Sequence, residues 1–216
     1  MITITTLKSQ NGLSLVELMI GISLTAFIAA AMISLFVNSK QSYRINENMS
    51  RLQENARFAV SFISRDLRMT DYRECVTSDR RGDAIAGEND LGLNGSDTVT
   101  ILWQTNICTA ADTLVTTVYS IQAGAGGGPA LFRSVDGVSQ ELVEGIEDLQ
   151  ILFGEDTDDD NVPNYFVESP DITNMAKAIS IRITLIARTL ESGLTSDGDR
   201  VTRGFTSTIT LRNRLP

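Results

Sequence analysis

The sequence predicts an α+β fold in which one long N-terminal α-helix packs on an antiparallel β-sheet head. Three patterns carry this prediction. Residues 13–37 form an apolar run, and in residues 38–69 the apolar side chains recur at steps of three and four. After residue 70, several segments alternate apolar and polar side chains and favour β-branched residues. The first two patterns are typical of helices and the third of half-buried strands.

The apolar run reads LSLVELMIGISLTAFIAAAMISLFV, and its only charged side chain is Glu17. Residues 18–37 are 20 residues without a charge. At about 1.5 Å per residue, such a helix crosses a hydrocarbon core of about 30 Å. A cleaved secretory signal fits poorly, because its apolar run is usually about 7–15 residues and is followed by a small-residue cleavage site. A plain signal anchor stays open as an alternative, although a carboxylate inside the run calls for a functional reason.

The second segment predicts that the helix continues as an amphipathic one. Charged and amide side chains occupy the other face, which we expect to be solvated. The simplest structure is a single helix over residues 13–69, some 57 residues and about 85 Å long. Its apolar stripe consists of Ile45, Met49, Leu52, Ala56, Ala59 or Val60, Ile63 and Leu67.

The head is predicted to be a sheet of short strands. Residues 124–129, GAGGGP, predict a turn between two of them, and residues 76–97 are predicted to be a loop. The glycines do not indicate a nucleotide site, since no GK[ST] follows them. The candidate strands are residues 98–104, 114–122, 130–135, 147–153, 178–188 and 206–212.

Composition argues against an enzyme. The chain contains no histidine, which excludes Ser-His-Asp and Cys-His nucleophiles and every histidine-ligated metal site. Its two cysteines are too few for a structural zinc site. Residues 70–216 carry 11 basic and 23 acidic side chains, and this acidic balance argues against direct nucleic-acid binding.

One acidic segment has the spacing of a calcium-binding loop. Oxygen ligands at alternate positions are typical of EF-hand-type loops. Two departures are Asn161, where such loops have glycine, and Val167, where they have glutamate. The segment is therefore either a solvated acidic turn or a head-stabilising Ca²⁺ site. The candidate ligands are the side chains of Asp156, Asp158, Asp160 and Asn164 and the backbone carbonyl of Val162.

The segment GLSLVE at residues 12–17 resembles the class III signal peptide of type IV prepilins. In that family a membrane-bound prepilin peptidase cuts after the glycine, here Gly12, and methylates the new N-terminal residue, here Leu13. The resemblance gives Glu17 a role in assembly. Its carboxylate would pair with the α-amine of a neighbouring subunit, which offsets the desolvation of both ions.

Three stretches resemble the PilW family of minor type IV pilins. The first is ENARFAVSFISRDLRMTDYREC, the second is FGEDTDDDNVPNY and the third is FTSTITLRNR. The resemblance implies a pilin-like fold. Its domains are a prepilin leader at residues 1–12, a transmembrane or filament-core helix at 13–37, an amphipathic helix at 38–69 and a β-rich head at 70–216.

The same resemblance implies a function in fimbrial biogenesis. A minor pilin is incorporated in the type IV pilus or primes its assembly, and so supports twitching motility, adhesion or DNA uptake. The implied partners are other minor and major pilins, the prepilin peptidase and the pilus assembly platform. We expect the chain first in the inner membrane with its head in the periplasm, then in the pilus at the cell surface, with no required cofactor.

The cysteines of an exported head predict a disulfide between Cys75 and Cys108. Two unpaired, buried thiols are the alternative. Two other functions also stay open. One is a J-like minor pseudopilin of a type II secretion system, and the other is a processed membrane-anchored enzyme or receptor. The stretch at residues 54–75 favours the pilin.

Overall fold

The computed structural model describes residues 12, 14–72, 84–105, 113–195 and 197–215. The chain divides into two compact units, Met1–Ile45 and Asn46–Pro216. Helix α1, Leu15–Leu67, contributes residues to both units. The predicted long helix is confirmed, and among the described residues it begins at Leu15 and ends at Leu67.

Within Met1–Ile45, helix α1 is mostly apolar as far as residue 37 and mostly polar after it. Every described side chain from residue 14 to residue 44 is exposed. Two of its hydroxyls bond back to the helix itself, Ser23 Oγ to the Met19 carbonyl and Thr25 Oγ1 to the Gly21 carbonyl, both at 2.8 Å. Internal hydrogen bonds of this kind are what an apolar surrounding requires of polar groups.

In Asn46–Pro216, the described residues form nine strands in two antiparallel sheets. Sheet A has the order β1-β2-β3-β4-β5 and sheet B the order β7-β6-β8-β9. The strands are β1 Ile85–Glu88, β2 Thr98–Thr105, β3 Thr113–Ala123, β4 Pro129–Val135, β5 Val138–Glu144, β6 Ile146–Glu155, β7 Tyr165–Val167, β8 Ala178–Arg188 and β9 Thr202–Thr210.

All six predicted strands are present, and the bounds of β8 match the prediction. The glycine-rich turn is confirmed between β3 and β4, where the Gly124 amide donates to the Gly128 carbonyl at 2.7 Å. Strand β9 begins at Thr202, four residues before its predicted start. The prediction of a loop over residues 76–97 is wrong at Ile85–Glu88, because this segment is strand β1 and pairs with β2. Strands β5 and β7 were not predicted. The single predicted sheet is two sheets.

A single buried cluster joins the helix to both sheets. It contains Leu52, Ala56, Ala59, Ile63 and Leu67 of α1, together with side chains of sheets A and B. The two alanines are fully buried, and their small side chains let the helix backbone lie close to the strands. This stripe agrees with the apolar periodicity of the sequence from Leu52 onward.

Asp97 connects the two sheets at the start of β2. Its side chain is 3% exposed, and Oδ2 accepts a hydrogen bond from the Ile151 amide of β6 at 2.7 Å. The Asp97 amide donates to the Leu149 carbonyl at 2.8 Å. Burial raises the pKa of Asp97, against the lowering effect of the hydrogen bonds from Ile151 and Asp90.

Candidate functional site

The first candidate site is the unburied apolar part of α1. Its large apolar side chains are exposed to solvent. The exposed fraction is 73% for Leu15 and 74% for Phe27. By length and composition this helix is able to cross a membrane. Glu17 lies in its first turn and is exposed. A carboxylate is favourable there, because the helix N-terminus carries a partial positive charge.

The predicted processing residues lie at the edge of the described chain. Gly12 is described and exposed, whereas Leu13 is outside the described residues. The cut between them and the methylation of Leu13 therefore stay predictions. Cys75 and Cys108 also lie outside the described residues, so the disulfide stays a prediction as well.

The second candidate site is the acidic loop between β6 and β7. Its ends are fixed by the backbone, because the Asp156 amide donates to the Lys177 carbonyl at 3.0 Å and the Asn164 amide to the Glu155 carbonyl at 2.9 Å. One carboxylate oxygen from each of Asp156, Asp158 and Asp160 lies within 4.8 Å of the other two. The loop thus brings together the three carboxylates that the spacing predicted.

Asp156 is the buried member of this cluster. It is 4% exposed, while Asp158 and Asp160 are exposed. Its Oδ2 accepts a hydrogen bond from the Asn161 amide at 2.8 Å. Burial alone would raise the pKa of Asp156, but hydrogen bonds from the loop outweigh it and hold the pKa below the ordinary 3.8. The carboxylate is therefore ionised at neutral pH.

Asn164 and Val162, the other two predicted ligands, take part in hydrogen bonds that hold the loop. The Asn164 amide oxygen accepts hydrogen bonds from Thr157 N at 2.7 Å and Thr157 Oγ1 at 2.9 Å. Its Nδ2 donates to Asp158 Oδ1 at 3.2 Å, so Asn164 braces the loop in this conformation. The Val162 amide donates to Asp160 Oδ1 at 2.8 Å, which fixes the backbone next to the candidate carbonyl.

A buried charge in the head was not predicted. Asp66 lies on the inner face of α1 and is 7% exposed, although the helical period predicts a solvated face for charged residues. Its Oδ2 accepts hydrogen bonds from Tyr119 Oη and Arg133 Nε, both at 2.7 Å. The available signal was its position three residues after Ile63, on the apolar stripe.

The family model of type IV pilus-assembly protein W matches residues 118–213, from β3 to the turn after β9. Over these residues, which are somewhat less than half of the chain, the head is similar to that family of pilus-assembly proteins. No curated protein matches the sequence.

The PilW match includes two of the three stretches on which the resemblance rested. The acidic loop lies inside it, and so does the stretch from β9 to the C-terminal turn except for its last residue, Arg214. The stretch at residues 54–75, most of which is in α1, lies before it. The matching part therefore lies within the head, and the ability of α1 to cross a membrane is judged from its own length and composition.

Proposed function

We propose that the chain is a minor type IV pilin that is held in the inner membrane by α1, with its head in the periplasm, and then enters the pilus or primes its assembly. One observation carries the proposal. A single helix joins an unburied apolar segment, with Glu17 in its first turn, to a stripe buried in a head that matches type IV pilus-assembly protein W.

The exposed apolar segment needs a partner that removes it from water. Burying apolar surface stabilises by about 25 cal/mol per Å², and a lipid bilayer or the helices of other subunits supply that environment. The same segment therefore serves as a membrane anchor before assembly and as a filament-core helix after it. Transfer between the two leaves the head and its buried stripe unchanged.

Glu17 supplies the directional contact in this proposal. After cleavage behind Gly12, the glutamate is the fifth residue of the mature chain, and its carboxylate pairs with the α-amine of a neighbouring pilin. An ion pair in an apolar surrounding is favoured only when both charges meet, so the contact selects one register between helices. The partners are other minor and major pilins, the prepilin peptidase and the assembly platform. The protein's own contribution is assembly rather than catalysis.

The deciding experiment is an in-frame deletion, complemented with the wild-type chain. Surface pili and twitching are scored beside export of secreted enzymes. Loss of pili with normal export supports the proposal. Intact pili with lost export would instead assign the chain to a type II secretion system as a minor pseudopilin.

Complementation with Glu17→Gln tests the assembly contact. The variant is expected to be processed and to reach the inner membrane, but to be absent from sheared pili, because the amide cannot form the ion pair. Glu47→Gln is the matched control. Glu47 forms an exposed pair with Arg51 on the same helix at 2.7 Å, and such pairs contribute about 0–1 kcal/mol. Equal incorporation of both variants would contradict the role of Glu17.

A further inference from the structure

We propose that the β6–β7 loop binds one Ca²⁺ through the carboxylates of Asp156, Asp158 and Asp160. This inference does not depend on the pilus function, because it rests on the loop alone. No comparison with known proteins assigns a metal to this chain. The ligand class follows from the donor set, since carboxylate and carbonyl oxygens are the ligands that calcium takes in proteins.

The first observation is the convergence of three negative charges. Their ligand oxygens lie within 4.8 Å of one another on a short loop. Like charges at this distance repel one another, and a divalent cation between them turns that repulsion into attraction. The neighbouring Asp159 is not part of the group. Its Oδ2 lies 3.1 Å from Lys177 Nζ, which also donates to the Thr157 carbonyl at 3.0 Å.

The second, independent observation is a buried oxygen of Asp156. The Oδ1 atom is inaccessible to solvent and has no hydrogen-bond partner among the described residues, although the residue is 4% exposed. Buried polar atoms are nearly always satisfied, and a charged one without a partner is costly. A bound cation at the three-carboxylate group supplies the missing partner.

The loop is held in shape by contacts outside the cluster. Glu155, 1% exposed at the end of β6, accepts hydrogen bonds from Tyr165 Oη at 2.9 Å, Thr173 N at 3.1 Å and Asn174 N at 2.9 Å. The protein itself therefore satisfies the Glu155 carboxylate, and Glu155 is not a calcium ligand in this proposal. A site whose backbone is already fixed loses little entropy when the ion binds.

Calcium fits this site better than magnesium. Calcium accepts six to eight oxygens in flexible geometry, whereas magnesium demands near-ideal octahedral geometry and keeps most of its water. Three loop carboxylates, the Val162 carbonyl and water form a set that calcium tolerates. Asn164 is a positioning residue here, because its oxygen is bonded to Thr157.

The test measures Ca²⁺ binding by titration calorimetry on the full chain in detergent, after treatment with EDTA. One Ca²⁺ per chain is expected. Asp160→Asn and Asp158→Asn are expected to weaken binding about tenfold or more, because calcium affinity follows the charge of its ligands. Asp159→Asn is the matched control. It removes the same charge from the same loop outside the cluster, and asparagine tolerates the local φ of 60°.

Thermal unfolding separates a metal site from a structural loop. Saturating Ca²⁺ at about 100 times the Kd is expected to raise the Tm of the wild type by about 5–10 °C. In EDTA, Asp160→Asn is expected to melt at or above the wild type, since repulsion is relieved; in Ca²⁺ it should melt below it. No saturable binding at millimolar Ca²⁺, equal binding of Mg²⁺, an equal loss in Asp159→Asn, or a lower Tm of Asp160→Asn in EDTA would overturn the proposal.

Discussion

At the scale of single residues, the buried carboxylate of Asp66 has two hydrogen-bond donors from the neighbouring sheet. Its Oδ2 accepts one hydrogen bond from Tyr119 and one from Arg133. The three side chains come from α1, β3 and β4, so the cluster ties the helix to sheet A. Breaking a buried pair by removing one partner leaves an uncompensated charge and is strongly destabilising.

Tyr119→Phe tests this cluster with the smallest change. Tyr119 is fully buried. The substitution removes its hydroxyl, and with it one hydrogen bond to the charged Asp66 carboxylate, while Arg133 stays in place. We expect the free energy of unfolding to fall by about 1.5–3 kcal/mol. Denaturant unfolding measures it. Tyr43→Phe, at a side chain 70% exposed, is the control and should stay within about 0.5 kcal/mol of the wild type.

The same variant has a pH signature. Burial, then the hydrogen bond to Asp66 and its charge, raise the pKa of Tyr119 above the ordinary 10.0. The unfolded chain therefore releases this proton more readily, and folding stability falls as the pH rises above 10 toward the folded pKa. Tyr119→Phe should lose less stability than the wild type between neutral pH and pH values above 10. Parallel alkaline slopes would contradict this assignment.

At the scale of secondary-structure elements, Gly145 is the link between the two sheets. It joins β5 of sheet A to β6 of sheet B with a φ of 76°. Its amide donates to the Pro129 carbonyl at 3.0 Å, and its carbonyl accepts from the Arg188 amide at 2.8 Å. A Cβ at this position would lie 2.8 Å from the Arg188 carbonyl oxygen, which is backbone and cannot easily move.

Gly145→Ala is therefore expected to combine backbone strain with a steric clash. The left-handed conformation alone costs about 1–2 kcal/mol for an L-residue. The overpacking adds about 1–3 kcal/mol. Gly137→Ala separates the two effects, because Gly137 has a φ of 84° and nothing within 4 Å of its Cβ position. Equal losses of unfolding free energy in the two variants would show that the contact with Arg188 is unimportant.

The elements that the sequence predicted are those with a clear apolar period. Helix α1 and β8 have long regular patterns, and their burial follows those patterns. Strand β5 was missed because it is a polar strand at the edge of sheet A. Its signal was the dipeptide Asp136-Gly137, whose positive φ values of 49° and 84° form the hairpin that pairs Val135 with Val138.

The residues of the candidate sites also differ in how far their roles could be predicted from the sequence. The alternate spacing of Asp156, Asp158 and Asp160 is local, so it predicted that their carboxylates would converge. The roles of Asp66 and Asn164 depend on tertiary contacts, with β3 and β4 for Asp66 and with Thr157 for Asn164. Sequence periodicity contains no information about which partner a polar side chain reaches, so these two roles required the structure.

At the scale of the whole molecule, the two units differ in how they are stabilised. Every member of the buried cluster lies between Leu52 and Leu211, within Asn46–Pro216. The described side chains of residues 14–44 are exposed and apolar for the most part, and they contribute nothing to that cluster. The head thus contains its own core, and in our proposal lipid or the helices of other subunits surround the apolar segment.

A chain of residues 46–216 tests this division. We expect it to be soluble without detergent and to unfold cooperatively, because it keeps every residue of the buried cluster. A chain of residues 57–216 is the matched comparison. It lacks Leu52 and Ala56, which are 2% and 0% exposed, and it should lose at least about 2–5 kcal/mol of unfolding free energy, the range for deleting one large buried side chain. If residues 46–216 aggregate or melt without cooperativity, residues 14–45 are needed for folding, and the division into a self-sufficient head and a partner-dependent apolar segment is wrong.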